Sequence, residues 1–507
     1  MRRPVPASTL FPALILGGLT LALHLWANGS YDYFRDELYF IVCGEHLAWG
    51  YVDQPPLVPL IAHLARALFG DSVLGLRLMP ALADAALVAL GTIAAGRLGG
   101  GVYARWLAGL ALLAAPLFRV DGLLLSTDFL QPLAWLAASL LILDATERER
   151  PAAWYALGAV TGVALLDKYM IAFFLVAAGI GLVLTRERRA LLRPAPWLAG
   201  LLALVIVLPN LFWQQSHGWP FLELGKAAAG GKNIAYGPLG WLVQEALLMN
   251  PLTAPIWLAG LAGFAAWPRL ARGRRIAIAW AVLMVMMLAM HGKPYYPAGI
   301  YPILFAGGAV VIEAMIRPAM ARGAVAGWTA LAGLLLLPFM LPVLPVEQFV
   351  SYQRAIGLEP QTGEKQALGA LPQYYADMFG WRETAAAVGQ AYQALPPEDQ
   401  AHAVFFGNNY GEAAAIDVFG APWHLPPAIS GHNNYFLWGP GDHDGSIVLL
   451  VSKRPREALL ERFESVEAVG EIGVPYAMPY ERGLTLYLCR NSKLPLAEAW
   501  PSLKHYE

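Results

Sequence analysis

Eleven apolar stretches dominate the chain, at about residues 9–27, 73–96, 103–118, 129–145, 152–166, 169–185, 195–212, 250–268, 276–290, 296–316 and 323–345. Crossing about 30 Å of hydrocarbon as a helix takes roughly 20 apolar residues. Only a helix or a closed barrel can satisfy its own backbone hydrogen bonds there without water. The pattern predicts a polytopic α-helical membrane protein with about 11 transmembrane helices. Charge agrees: 14% of the residues are charged, against roughly 25% in a soluble protein. With 57% hydrophobic residues and a net charge of −1, intrinsic disorder and nucleic-acid binding through global positive charge are excluded.

The basic residues set an orientation. Sixteen arginines and no lysine sit in short loops on one side: Arg2, Arg3, Arg97, Arg105, Arg148, Arg150, Arg186, Arg188, Arg189, Arg193, Arg269, Arg272, Arg274, Arg275, Arg317 and Arg322. All eight lysines fall on the other side. By the positive-inside rule the arginine side is cytoplasmic. This puts the N-terminus inside and, after eleven spans, the C-terminal region outside. Met1-Arg2-Arg3 before an apolar run resembles a signal peptide, but no A-x-A-like cleavage site precedes the polar segment after Trp26, so a retained span is expected. Between arginine-rich flanks, 152–185 must cross an even number of times, which predicts two short helices meeting at Asp167-Lys168.

Beyond Pro345 the long apolar runs stop. The expected organisation is a transmembrane domain over 1–345 and a soluble α/β domain over 346–507 on the outer face. Within the latter, Arg382 to Leu395 has helical character, while Val404 to Phe406, Ser446 to Ser452 and Leu484 to Cys489 read as short buried strands. No internal repeat of the kind found in many transporters is visible. Two cysteines, Cys43 and Cys489, exclude a disulfide framework and leave their pairing with each other open.

Three outer loops stand out, at 28–72, 119–128 and 213–249. The first holds Tyr31 to Phe40, expected as a short amphipathic helix lying on the membrane with its aromatics at interface depth. By spacing alone, Asp36 and Glu37 are either solvated loop acids or a general base placed to meet a lipid-borne substrate. Lys168 between two apolar helices is a snorkelling side chain, an ion-pair partner of Asp167, or a functional cation. Asp128 is an N-cap or a site acid. Lys293, beside Tyr295-Tyr296, is an aromatic-belt anchor or a phosphate grip.

The order of these motifs carries a resemblance. Asp36-Glu37 follows the first span, Gln54-Pro55-Pro56 comes about 18 residues later, and Ser126-Thr127-Asp128 stands at the second outer loop. Lys168 then marks a span junction, and Lys293-Pro294-Tyr295-Tyr296-Pro297 precedes a late span. Over about residues 1–345 this resembles the glycosyltransferase C (GT-C) superfamily, specifically its family 39 branch. That branch includes protein O-mannosyltransferases and the bacterial lipid A aminoarabinose transferase.

The resemblance implies inverting transfer of a sugar from a polyprenyl-phosphate donor to an acceptor on the periplasmic side of a bacterial inner membrane. The acceptor class is lipid A, another glycan or a protein. Asp36 falls on the family's loop-one aspartate, its general base, with Glu37 beside it and Asp128 organising the acid or the donor site. Lys168 and Lys293 would face the departing phosphate, with Tyr295, Tyr296 and Arg35 as further donor-binding candidates. Asp53 takes the place of an acid that some relatives carry before a basic residue, but Gln54 stands where that base would be. Leu38 and Tyr39 replace the Thr and Arg of the aminoarabinose transferases. These departures argue against an aminoarabinose donor and leave the sugar open. No nucleotide is required, which fits the lack of a phosphate-cradling Gly-rich loop. A divalent metal on Asp36, Glu37, Asp53 and Asp128 is compatible with the set, although no His/Cys spacing demands one.

Two other classes stay open at this point: a secondary transporter of a polar solute, for which the intramembrane acids Asp84 and Glu313 would be the sign, and a non-catalytic assembly subunit. In the outer domain, Asn408 to Glu412 and His432 to Tyr435 are plain turns or strand-end ligand loops.

Overall fold

The computed structural model describes residues 7–147, 150–230, 234, 236–358, 360 and 365–506. Arg2, Arg3 and Arg148 of the basic pattern lie outside the described residues. The chain divides into two compact units. Unit 1 comprises 1–30, 74–212 and 234–345; unit 2 comprises 31–73, 213–233 and 346–507.

Unit 1 is helical, and each of the eleven apolar stretches contains a helix. Among the described residues, five are long and apolar enough to cross a membrane: Leu10–Ala27, Leu78–Arg97, Pro194–Ser216, Ala298–Met315 and Ala319–Met340. Three bent pairs bring the number to as many as eight, for example Val102–Leu113 with Pro116–Leu123 at 63°. The remaining stretches form shorter helices, Gln131–Glu147, Pro151–Asp167 and Arg274–Ala289. At about 1.5 Å per residue, 17 residues reach only about 25 Å. The chain is a multi-pass membrane protein.

The expected loop at 119–128 is partly helical, because Pro116 starts the helix Pro116–Leu123 as a preorganised first residue. That helix buries Arg119 in a polar knot. Asp84 bonds His24 Nε2 at 2.7 Å and pairs with Arg119, whose Nη1 donates to Thr20 Oγ1 at 3.3 Å. Gly122 is required beside it, since a Cβ there would lie 2.6 Å from Asp84 Cβ and from His24 Nε2. Glu313, the other intramembrane acid, accepts the Gly101 and Ala104 backbone N–H groups at 2.5 and 3.2 Å, capping Val102–Leu113. Both acids thus have structural partners. The helices Ala254–Ala266 and Tyr301–Met315 approach backbone to backbone: a methyl on Gly308 would strike the Ile256 carbonyl oxygen, and one on Gly260 that of Leu304.

Unit 2 contains a five-stranded mixed sheet in the order β2-β1-β3-β5-β4, from β1 (Ala403–Gly407), β2 (Ile429–Ser430), β3 (Ile447–Ser452), β4 (Phe463–Ile472) and β5 (Leu484–Ser492). β1 pairs parallel with β2 and β3, while β5 pairs antiparallel with β3 and β4. β3 is buried at every position, as a central strand covered on both faces should be. Val404, Val448, Leu450, Tyr487 and Cys489 form its core with Trp500. The helix Trp381–Gln393 starts after Gly380, whose φ of 103° favours a residue without a Cβ. Cys43 and Cys489 are both buried and free.

The helix expected in the first loop forms, but it is buried where an interfacial helix would be exposed. The loop folds into the helices Arg35–Glu45 and Leu57–Phe69, and the former is buried from Glu37 to Gly44. Its aromatics Tyr39 and Phe40 are buried in the folded chain and are not exposed as an interfacial belt would be. The helix Leu57–Phe69 carries the exposed apolar side chains instead, Leu60, Leu64, Leu68 and Phe69.

Candidate active site

In unit 2 the adjacent acids separate at the start of a helix. Phe34 is extended (φ −72°, ψ 148°) and donates its N–H to Glu37 Oε2 at 2.8 Å, the return half of a capping box. Glu37 is fully buried in that role. Successive residues on a helix point about 100° apart, so Asp36 is turned elsewhere and its side chain stays 31% exposed. Its Oδ1 accepts the Tyr410 hydroxyl at 2.7 Å and Arg35 Nε at 3.3 Å. Among the described residues nothing hydrogen-bonds Oδ2.

Arg35 is held on several sides. Its backbone N–H donates to the Asp377 carbonyl at 3.0 Å, and Nη1 donates to Tyr480 Oη at 2.6 Å. Tyr480 in turn donates to Asp377 Oδ1 at 3.0 Å. Burial opposes the guanidinium charge, but Asp377, Tyr410, Tyr480 and Asp36 outweigh it and hold Arg35 well above its usual pKa. Burial pushes the Asp377 carboxyl up, with Arg35 opposing.

Asp53 lies in the same unit. Its Oδ1 accepts the Tyr39 hydroxyl at 3.0 Å, and Tyr39 Oη also accepts the Asn434 N–H at 3.2 Å. Asn434 Oδ1 takes the Val52 N–H at 2.7 Å, fixing the backbone beside Asp53. Gln54 is an interior amide, buried with Nε2 3.9 Å from Cys43 Sγ. The rings of Tyr39 and Tyr410 lie 4.7 Å apart.

Behind Tyr410 sits a buried acid pair. The Asn409 side-chain amide donates to Glu412 Oε1 at 3.3 Å and to Glu481 Oε1 at 2.9 Å. Burial pushes Glu481 up to about 7 and Glu412 well above the carboxylate range.

Unit 1 holds the two lysine candidates. The helix Pro151–Asp167 ends at Asp167, Lys168 is extended (φ −155°, ψ 142°), and Met170–Val183 follows. That break sends Lys168 Nζ to both Asp128 oxygens, at 2.8 Å each. Asp167, the sequence neighbour, instead accepts Gln131 Nε2 at 2.8 Å. Lys168 Nζ lies 5.4 Å from the ring centres of both Tyr295 and Tyr296, and Lys293 Nζ 5.9 Å from that of Tyr295. A small cavity beside them is lined by Asp121, Asp128, Gln131, Tyr295 and Tyr296.

The structure thus gathers Arg35, Asp36, Glu37 and Asp53 in one unit and Asp128, Lys168, Lys293, Tyr295 and Tyr296 in the other. Among the described residues no three His, Cys, Asp or Glu side chains group as a metal site. Sequence reading missed Tyr39, Asp377, Tyr410 and Tyr480. Asn408 to Glu412 reads in the sequence as a plain turn or a strand-end ligand loop, and nothing there links Tyr410 to an acid 374 residues earlier.

Three comparisons bear on this arrangement. Residues 53–213 match the family model of dolichyl-phosphate-mannose-protein mannosyltransferases. A lipid A galacturonosyltransferase, RgtD of Rhizobium johnstonii, is 28% identical over 208 residues. The match covers 40% of this chain and 43% of that relative. The chain superposes on ArnT of Cupriavidus metallidurans bound to undecaprenyl phosphate with a TM-score of 0.61 and 17% identity, covering 94% of this chain and 97% of that one. The apo form of that protein gives 0.60. The chain has the fold of the GT-C superfamily and resembles its family 39 branch.

Proposed function

We propose that this protein is an inverting glycosyltransferase that moves a sugar from a polyprenyl-phosphate donor to a lipid or glycan acceptor. The observation that carries this reading is Asp36: a half-exposed carboxylate with one oxygen anchored by two donors and the other open. The acceptor hydroxyl attacks the anomeric carbon, and its proton passes to Asp36 Oδ2. The bond from that carbon to the phosphate oxygen breaks, and polyprenyl phosphate leaves with the electron pair. A phosphate leaving group needs no general acid, so one carboxylate suffices. Glu37 serves the same step by capping the helix that presents Asp36.

Lys168 and Lys293, with Tyr295 and Tyr296, have the chemistry to bind a phosphate and stabilise its developing charge. Asp128 holds Lys168 extended towards that role. Asp53 fixes Tyr39 next to the Asp36 cluster. Residues 1–345 supply the motifs of the transferase, and 346–507 form a periplasmic domain. The arginine pattern supports a bacterial inner-membrane protein with a cytoplasmic N-terminus. Uronic acid is the first sugar to try, because the partial relative is a galacturonosyltransferase and Leu38, Tyr39 and Gln54 depart from the aminoarabinose pattern.

The test is transfer in membranes from radiolabelled polyprenyl-phosphate galacturonic acid and from its aminoarabinose counterpart to lipid A. Asp36→Asn is expected to lower transfer by about 10²–10⁴ with the protein still folded. Undiminished transfer by that variant would remove Asp36 as the base.

A further inference from the structure

The sheet-bearing part of unit 2 contributes a side chain that neither the motif order nor the family-model match over 53–213 reaches. Tyr410 opens the helix Tyr410–Phe419, whose first turn is fixed by Asn409: its Oδ1 accepts the Glu412 N–H at 3.0 Å. The Tyr410 ring is buried and packed on several sides. Tyr39 lies 4.7 Å away at 34°, His432 lies 4.7 Å away at 50°, and the Arg35 guanidinium sits 5.2 Å over the ring. So confined, the ring has one place to put its hydroxyl, 2.7 Å from Asp36 Oδ1.

An unrestrained aspartate samples several rotamers, and its two oxygens are equivalent. The phenol removes that equivalence. With Tyr410 and Arg35 both donating to Oδ1, the carboxylate has one rotamer and Oδ2 keeps its lone pairs for another proton. We propose that Tyr410 is a positioning residue for the transfer reaction: it locks Asp36 so that Oδ2 is the oxygen that accepts the hydroxyl proton. This rests on the reading of Asp36 as the base. The acceptor O–H breaks, an O–H forms at Oδ2, and the phenol keeps its own proton throughout. Burial holds the Tyr410 hydroxyl well above the usual phenol range, with Arg35 opposing and Asp36 adding to it, so it remains a donor. The other titratable groups facing this pair are Asp53, Asp377, Tyr39, Tyr480 and His432.

The experiment uses the full chain in nanodiscs with two readouts. The first is the infrared titration of the Asp36 carboxyl, identified as the band lost in Asp36→Asn, in wild type and in Tyr410→Phe. Removing a donor to the charged form raises the titration midpoint, so Tyr410→Phe is expected to titrate at higher pH. An unchanged midpoint overturns the inference. The second is transfer from polyprenyl-phosphate galacturonic acid. Tyr410→Phe is expected to lower kcat about 10- to 100-fold with little change in donor KM, and to move the acid limb of kcat/KM to higher pH. A fall confined to KM, or a fall in kcat with an unmoved pH profile, would leave only a structural role. Should Tyr410→Phe fail to accumulate, 2,3-difluorotyrosine at 410 keeps the shape and strengthens the donor; the midpoint must then fall, and a rise or no change refutes the proposal. Tyr392→Phe, which loses only a bond to the Gln400 carbonyl, is the control. If Asp36→Asn retains transfer while the Tyr410→Phe midpoint moves, the base reading fails and the coupling of the two residues stands.

Discussion

Glu481→Gln tests the electrostatics of unit 2 in isolation from its chemistry. Glu481 is 7% exposed, accepts Asn409 Nδ2 at 2.9 Å, and is pushed up by burial from 4.5 to about 7. A carboxyl whose folded-state pKa exceeds its unfolded value favours folding in its neutral form. Its stabilisation is complete below about 4.5 and is lost as pH rises through about 7. At about 1.4 kcal/mol per unit, the shift would amount to roughly 3–4 kcal/mol at pH 8. Glu412 shares Asn409 and is itself pushed up, so a loss of about 1–3 kcal/mol is the expectation. Glutamine keeps the acceptor oxygen facing Asn409 and carries no charge. Wild type and variant should therefore be equally stable at pH 4.5, and the variant more stable by about 1–3 kcal/mol at pH 8. Native-state hydrogen exchange of the β1 and β3 amides, corrected for intrinsic rates, reads this directly in the full-length protein. A variant less stable than wild type at pH 8, or a difference that does not grow with pH, would refute a buried protonatable Glu481.

Three other substitutions address unit 1. Gly308→Ala places a methyl against the Ile256 carbonyl oxygen, a backbone atom that cannot swing aside; thermal unfolding in detergent should show a loss of about 2 kcal/mol or more. Gly179→Ala, whose new methyl meets nothing within 4 Å, should be neutral or slightly stabilising. Lys168→Met leaves Asp128 without its bidentate partner and should lower transfer by about 10²–10³, with partial recovery in Lys168→Arg. A wild-type rate in Lys168→Met would exclude a role for Lys168 in the reaction.

The parts of the fold that were legible were those written locally. The helices over the eleven stretches follow from apolar runs, and the break at Asp167-Lys168 follows from charge between arginine-rich flanks. β1, β3 and β5 are short apolar runs, and Trp381–Gln393 has a helical period. β4 was invisible because it is an edge strand with only Val466 and Ile472 buried, so no alternation marks it. β2 is two residues long, too short for any period. The helix Arg35–Glu45 was legible as a helix, but not as an interior one: aromatic residues suit a membrane interface and a protein core equally well.

Sequence by itself determined the membrane-spanning class, the helix positions, most of the sheet and the short set of polar residues able to do chemistry, because each depends on residues within a few turns of one another. Only the tertiary structure decided what those residues do to each other. It gave Glu37 to a helix cap and left Asp36 half exposed, paired Lys168 with Asp128 and not with Asp167, and brought Tyr410 to Asp36 across 374 residues. A hydrogen bond is directional and short, so it is fixed by where the folded chain puts two atoms, and local pattern carries no record of that.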